Sequence, residues 1–399
     1  MGCSGNNATP PSPAIAPGGE HIDPAAVAER IGRHGVDPRL PSLVPGFDAP
    51  FFQAGLAGYS DPAMRLIARD HGCPLCVTEA LLDRTLLAGG RGFAKADLGD
   101  IAENVPGGAD DHPLVGQIMG SDPATMADAA VKMIEQGARS ADPSSPSPNS
   151  GHRTFVTIDI NLACPVKKIA RKARGGHFLA HPEDAVRVLA AVRDALPASV
   201  PLTVKIRRSY DDTPEMVRSF WHIFDATDDL GCAWVTVHGR TVAQKYIGPS
   251  RWDLLREIVH ARPERLVFGS GDVWNASDIF RMIGYTGVAA ASVARGCIGN
   301  PWIFRQAREM LAGRDPAPPT LCEQRAVLER HFELALRVNR RRRDPEQHTA
   351  REMRKFAIRF AAHHPAPERV RRRFIETSSL DEWQRVLTEE YDAHEPASL

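Results

Sequence analysis

The chain has 399 residues, with 49 Lys plus Arg balanced by 49 Asp plus Glu and 43% apolar residues. That is enough length for one large domain and a smaller one, while a formal net charge of zero leaves only local clusters to attract a polyanion. No run of 18 apolar residues is present, so no spanning helix is expected.

The opening Met1-Gly2-Cys3-Ser4-Gly5 has neither the basic nor the apolar part of a secretory leader, and Asn6 stands where a myristoylation signal needs Ser or Thr. Seven cysteines, an odd number scattered over the chain, do not suggest a disulfide framework. The expectation is a reduced, cytoplasmic protein without membrane association.

Residues 1–45 read as a disordered or extended leader. Its first 20 residues are mostly Pro, Gly, Ser and Ala, Asp23-Pro24 is able to cap a short helix through Ile31, and Pro38, Pro41, Pro45 and Pro50 lead into the first strand. Over 46–315, short apolar runs alternate with amphipathic ones. The expected strands are Phe51–Leu56, Pro74–Thr78, Leu114–Met119, Phe155–Ile160, Leu202–Ile206, Trp234–Val237, Leu266–Gly269 and Val288–Val293. Helical patterns at Pro62–His71, Pro123–Gln136, Pro182–Leu196, Pro214–Leu230, Trp252–Ala261, Ala276–Ile283 and Pro301–Leu311 separate them, with irregular sequence around Asp97–Glu103. Eight strands alternating with helices is the count of an α/β fold of the (β/α)8 TIM-barrel type. A doubly wound sheet is the rival, but it more often has fewer strands and a dinucleotide fingerprint, which is missing here. Ser140–His152, rich in Ser and Pro, reads as a mobile insertion.

Residues 316–399 carry helical patterns only, at Gln324–Arg340, Thr349–His363, Glu368–Glu376 and Leu380–Glu390, and read as a small all-α domain. Between Arg337 and Arg373 thirteen cations face four anions. A charge run is usually a solvated face, but this imbalance within one small unit favours polyanion binding.

Barrel chemistry sits at the C-terminal strand ends. The third strand ends near Gln117, the fourth at Asn161 with Cys164 beyond it, the fifth at Lys205 with Arg207, and the sixth at His238 with Arg240. The seventh ends in Gly269-Ser270-Gly271-Asp272 and the eighth in Ala294-Arg295-Gly296, glycines and an arginine where barrels commonly hold a phosphate. Cys164 fits poorly as a core residue in a loop followed by Lys167, Lys168, Arg171, Lys172 and Arg174. It serves either as a thiolate nucleophile or, with an ordinary thiol pKa of about 8.5, as a general acid. Residue types alone leave both open. Cys73-Pro74-Leu75-Cys76 has no second pair at metal spacing, so it reads as core and no metal is expected.

These pieces resemble, in order, the tRNA-dihydrouridine synthases, most nearly their bacterial B-type branch. The matching residues are Ala57-Gly58-Tyr59-Ser60-Asp61, Thr78-Glu79, Val115-Gly116-Gln117, Asp159-Ile160-Asn161 with Cys164-Pro165 and Lys168, and Thr203-Val204-Lys205-Ile206-Arg207. Val237-His238-Gly239-Arg240-Thr241 with Gln244 and Tyr246, Gly269-Ser270-Gly271-Asp272, and Ala294-Arg295-Gly296 through Phe304 complete the set. The resemblance implies an FMN enzyme that reduces the C5–C6 bond of uridine in tRNA with NADPH and acts as a monomer. Gln117, Lys205, His238, Gly269, Gly271, Asp272, Ala294, Arg295 and Gly296 would bind FMN, and Cys164 would protonate C5. Asn161, Arg207 and Arg240 would meet the uracil, with Lys167, Lys168, Arg171 and the basic tail on the RNA.

Two positions depart from the family pattern. Gly55-Leu56 replaces Pro-Met, and Ala163 replaces the glycine before Cys164, which raises the question of how the thiol is aimed. A small-molecule flavoenzyme of the dihydropyrimidine or dihydroorotate dehydrogenase type accounts for the barrel but not for the basic tail. A non-catalytic RNA-binding relative would carry a damaged site, whereas Gln117, Cys164, Lys205 and His238 are all in place.

Overall fold

The computed structural model describes residues 21–88, 111–137, 155–166, 175–340 and 342–392. Among them the parallel strands are β1 (Phe51–Gln53), β2 (Cys76–Val77), β3 (Leu81–Leu82), β4 (Leu114–Met119), β5 (Thr157–Leu162), β6 (Leu202–Arg207), β7 (Trp234–His238), β8 (Val267–Ser270) and β9 (Ala290–Val293). Strand β1 pairs with both β2 and β9, and β2 pairs with β4, so eight strands close a ring with β3 held on β4 alone. The barrel expected from the strand count is therefore present. Strand β3 was not anticipated, because two residues are too short to display a period.

Alternation along each strand explains the barrel's two layers. Outward residues such as Ile158, Ile160, Val204, Ile206, Val235 and Val237 join the core shared with the surrounding helices. Inward residues change character from one end of the barrel to the other. At the N-terminal end Phe52, Val77, Val115, Trp234 and Phe268 form a separate apolar cluster with Leu40, Val44 and Phe47 from the lead segment. Ring centroids of Phe47 lie 6.1 Å from Phe52 and 5.9 Å from Phe268, and Trp234 stacks on Phe268 at 5.1 Å. Toward the C-terminal end the inward positions become Gln117, Asp159, Asn161, Lys205, Arg207 and His238.

The short helix expected behind Asp23-Pro24 is present and runs to His34, capped by the Asp23 side chain with proline in its opening turn, and Arg39–Leu43, in the part of the leader read as extended, is a second helix. The first packs on the helices Ala276–Thr286 and Trp302–Leu311, so burial of Ala28 and its neighbours orders it. Residues 1–20 and the Ser140–His152 insertion lie outside the described residues.

The last barrel helix ends at Leu311, and among the described residues four α-helices follow: Leu321–Asn339, Pro345–Phe360, Pro367–Glu376 and Leu380–Tyr391. Thr320 with Glu323, and Ser379 with Glu382, form reciprocal capping boxes at the first and last. Leu321–Asn339 packs against Pro62–Asp70, Phe356 meets Tyr59 edge-on at 5.7 Å, and Phe360 and His363 meet Trp302 at 5.5 and 5.1 Å. Gly299 lets this happen, since a Cβ there would lie 2.5 Å from Arg359 Cβ. No helix among the described residues is long and apolar enough to cross a membrane.

Candidate active site at the C-terminal mouth

The adjacent registers Gln117↔Asp159, Asp159↔Thr203, Asn161↔Lys205 and Arg207↔His238 bring the inward polar residues of four neighbouring strands together. Cys164 lies two residues beyond β5, half-buried. The Asn161 side-chain oxygen accepts the backbone N–H groups of Ala163 (2.9 Å) and Cys164 (3.1 Å), an Asx-type turn that folds the loop over the strand end. Gly176 N–H donates to the Cys164 carbonyl at 3.1 Å from the other side. Ala163 is not among the residues with positive φ, so an alanine is accommodated there without backbone strain.

Behind the loop, buried polar groups form a chain. Asn161 Nδ2 donates to Gln117 Oε1 (2.7 Å), Gln117 Nε2 donates to Asp159 Oδ2 (2.8 Å), and Thr203 Oγ1 donates to Asp159 Oδ1 (2.7 Å). Burial pushes the Asp159 carboxyl up to about 6, against the pull of Thr203, Gln117 and Lys205. Lys205 is pushed down to about 8, first by burial and then by Arg207, while Asp159 and Cys164 act in the opposite sense. These two and Gln117 line a narrow cavity with Phe52, Ala54, Gly55, Val77, Thr236 and Ser292. Gly55 is dictated by close approach: a Cβ there would lie 2.2 Å from the Thr78 carbonyl oxygen.

His238 Nδ1 accepts the backbone N–H of Arg240 at 3.1 Å, which leaves the ring proton on Nε2. Burial, reinforced by Arg207, Lys205, Arg240 and Arg295, holds this imidazole well below its ordinary pKa, so it stands neutral. The mouth is thus cationic around a neutral histidine.

The structure gives several of the expected site residues a framework task. Arg207 is buried and donates to the carbonyls of Ala163, Thr241 and Lys245, each at 2.8 Å, tying the Cys164 loop to the loop after β7. Arg240 donates to both Asp272 oxygens at 2.7 Å and to the Gly248 carbonyl, and Asp272 also accepts Ser250 N–H at 2.7 Å. Asp272 does so with φ 58° directly after Gly271 at φ 114°. One Arg240 nitrogen, Nη1, is buried with no hydrogen-bond partner among the described residues, as is the Ser292 hydroxyl lining the cavity. Gly269 lies within β8 and packs toward Met282, and Ala294 caps the short 3-10 helix after β9 that contains Arg295 and Gly296. Arg295 lies over the rings of Trp274 (4.6 Å) and Tyr246 (5.1 Å), and Arg207 over Tyr246 (5.7 Å).

Gln117, Asn161, Cys164, Lys205, Arg207, His238, Arg240, Asp272 and Arg295 thus gather at one end of the barrel. Lys167, Lys168 and Arg171 lie outside the described residues. Sequence reasoning assigns no role to Thr203, Trp274 or Asp159. Inward parity on β5 and β6 was the available signal for the first and last of these, but nothing in the sequence marks the stacking of Trp274. Cys73 and Cys76 are buried, as the core reading expects, with sulfurs 4.0 Å apart.

In the tail, part of the positive charge is consumed internally. Arg337 pairs with Glu333, Arg369 with Glu390, Arg373 with Glu389 and Glu390, and Lys355 with Glu352. Arg342, Arg343, Arg351 and Arg372 are exposed without a carboxylate partner among the described residues.

A family model described as dihydrouridine synthase matches residues 150–393. A probable tRNA-dihydrouridine synthase of Treponema pallidum (strain Nichols) is 30% identical over 343 residues, covering 84% of this chain and 91% of that protein. The tRNA-dihydrouridine synthase B of Shewanella oneidensis is 31% identical over 280 residues, covering 70% and 77%. That of Escherichia coli (strain K12) is 34% identical over 216 residues, covering 54% and 60%. A barrel whose mouth joins Cys164, Asn161, Lys205 and His238, followed by a helical tail and matched over most of its length by these proteins, belongs to the dihydrouridine synthase family, on its bacterial B-type side.

Proposed function

We propose that the protein is an FMN-dependent tRNA-dihydrouridine synthase that reduces the C5–C6 double bond of uridine, with NADPH as electron source. The observation that carries this reading is the cavity at the mouth, lined by the half-buried Lys205, which lies within electrostatic reach of the loop-borne Cys164. The residues fit the cofactor. Arg240 Nη1 and Arg295, beside the turns after β8 and β9, suit its phosphate, while Gln117, Lys205 and the His238 Nε2–H suit the polar edge of its ring. When bound and reduced, FMN supplies a hydride for C6 of the pyrimidine.

Lys205 keeps its charge below about pH 8 and stabilises negative charge arising in the cavity. His238, held neutral, donates a hydrogen bond without adding a charge. Cys164 gives the sulfur-bound proton to C5, so the reduction is completed by a general acid and not by attack of a thiolate. Asn161 sets the height of that loop, and Arg207 ties it to the loop after β7. The target base must leave the RNA stack to enter, and Tyr246, 54% exposed at the rim and backed by two arginines, offers it a face. Exposed tail arginines hold phosphates.

The test is a reaction with transcribed tRNA, in which the yellow protein forms dihydrouridine on NADPH addition and the Cys164→Ala variant does not. Full turnover by that variant would sink the acid assignment, and a colourless protein would remove the flavin reading altogether.

A further inference from the structure

The buried carboxylate of Asp159 is taken up by none of the steps above. It is 4% exposed, receives two side-chain hydrogen bonds, and carries a burial penalty that an apolar or amide residue would avoid. Its place in the hydrogen-bond chain suggests why it is there. The two ends of a Gln or Asn amide are nearly identical in shape, so their orientation is set only by their partners. An ionised carboxylate is acceptor-only, and Gln117 must therefore turn its NH2 toward Asp159 and its oxygen toward Asn161. Asn161 must in turn present its NH2 to Gln117 and its oxygen to the N–H groups of Ala163 and Cys164. An inverted Asn161 would set an NH2 against those two N–H donors and release the loop.

We infer that Asp159 is a positioning residue that fixes the polarity of the Gln117–Asn161 relay and through it the placement of the Cys164 loop. Thr203 supports it by spending its hydroxyl proton on the other carboxylate oxygen. The consequence for catalysis rests on the reading of Cys164 as proton donor, but the positioning itself does not.

The experiment reads the thiol directly. Peptide-resolved mass spectrometry follows iodoacetamide alkylation of Cys164 in the purified protein, and dihydrouridine formation is measured in parallel. Asp159→Leu removes the acceptor that orients Gln117, and Cys164 is expected to alkylate about five-fold faster or more as the loop loosens. Asp159→Asn is able to offer its oxygen to Gln117 and its NH2 to Thr203, whose hydroxyl turns to accept, so its rate should stay within about two-fold of the parent. Because Asp159 acts through Asn161, the Asp159→Leu/Asn161→Ala protein should alkylate no faster than Asn161→Ala alone.

A folded Asp159→Leu protein with unchanged Cys164 alkylation overturns the proposal, as does an additive double variant. Should Asp159→Leu fail to fold, Gln117→Met cuts the same relay one step nearer the loop and must give the same acceleration. Altered alkylation with unchanged uridine reduction would leave the positioning intact and defeat the acid reading instead.

Discussion

The two ends of the barrel interior are built from the same strands and are opposites. At the N-terminal end Phe47, Phe52, Trp234 and Phe268 meet ring to ring, all of them buried. Toward the other end the strands place Gln117, Asp159 and Lys205 in a cavity, with His238 at the mouth, and Gln117, Asp159 and His238 are each held by a particular hydrogen-bond partner. One end gains stability from area alone, and the other gives some up for orientation. Substitutions should therefore divide cleanly, activity being lost at one end and stability at the other.

The largest effect expected is at Cys164. Its replacement by Ala should lower dihydrouridine formation about 100-fold or more in assays on transcribed tRNA. Melting should barely change, because the thiol is half-exposed and fills no core space. Lys205→Met should cost roughly as much activity, through loss of a charge used in the reaction. Its stability should move the other way. Lys205 titrates near 8 in the folded chain and near 10.5 when unfolded, so between those values the unfolded chain binds more protons and parent stability rises with pH. Lys205→Met should accordingly melt higher than the parent at pH 7, an advantage that disappears by pH 10.5. If it melts lower at pH 7, the desolvated cation is not a burden and the contrast between the ends fails.

Phe268→Ala tests the other end. It should lose roughly 3–5 kcal/mol in denaturant unfolding while keeping its turnover rate at temperatures well below melting. A smaller effect is expected from Asp159→Asn. The Asp159 carboxyl titrates at about 6 folded and 3.8 unfolded, so the folded chain holds the extra proton in that window and parent stability falls as pH rises through it. Asp159→Asn should be more stable than the parent at pH 7.5, with the gain fading toward pH 4. The smallest effects belong to the tail. Replacing Arg342, Arg343, Arg351 or Arg372 by Ala should leave melting unchanged and reduce the salt dependence of RNA binding by about one phosphate contact each.

How far these features can be read in advance depends on their range. Strand parity and the order of polar strand ends placed Gln117, Lys205 and His238 correctly on one mouth, because a closed parallel ring leaves little freedom once the period is known. The tasks of Arg207 and Arg240 were not legible. Their carbonyl acceptors, at residues 163, 241, 245 and 248, are supplied by loops whose path no periodicity reveals. Part of the tail's charge excess is offset for a related reason: Glu389 and Glu390, outside the basic stretch in sequence, come from the last helix onto Arg369 and Arg373. Gly55 looked like a departure from a family pattern, and only the nearness of the Thr78 carbonyl shows that no side chain fits there.

The aromatic plug also governs traffic. With its lower end filled by Phe47, Trp234 and Phe268, the interior among the described residues opens toward the C-terminal mouth, and solvent deuterium should reach the buried Thr203 and Asp159 from that side. Whatever sits on the mouth acts as a stopper, so the exchange rate of the hidden network becomes a gauge of occupancy above it.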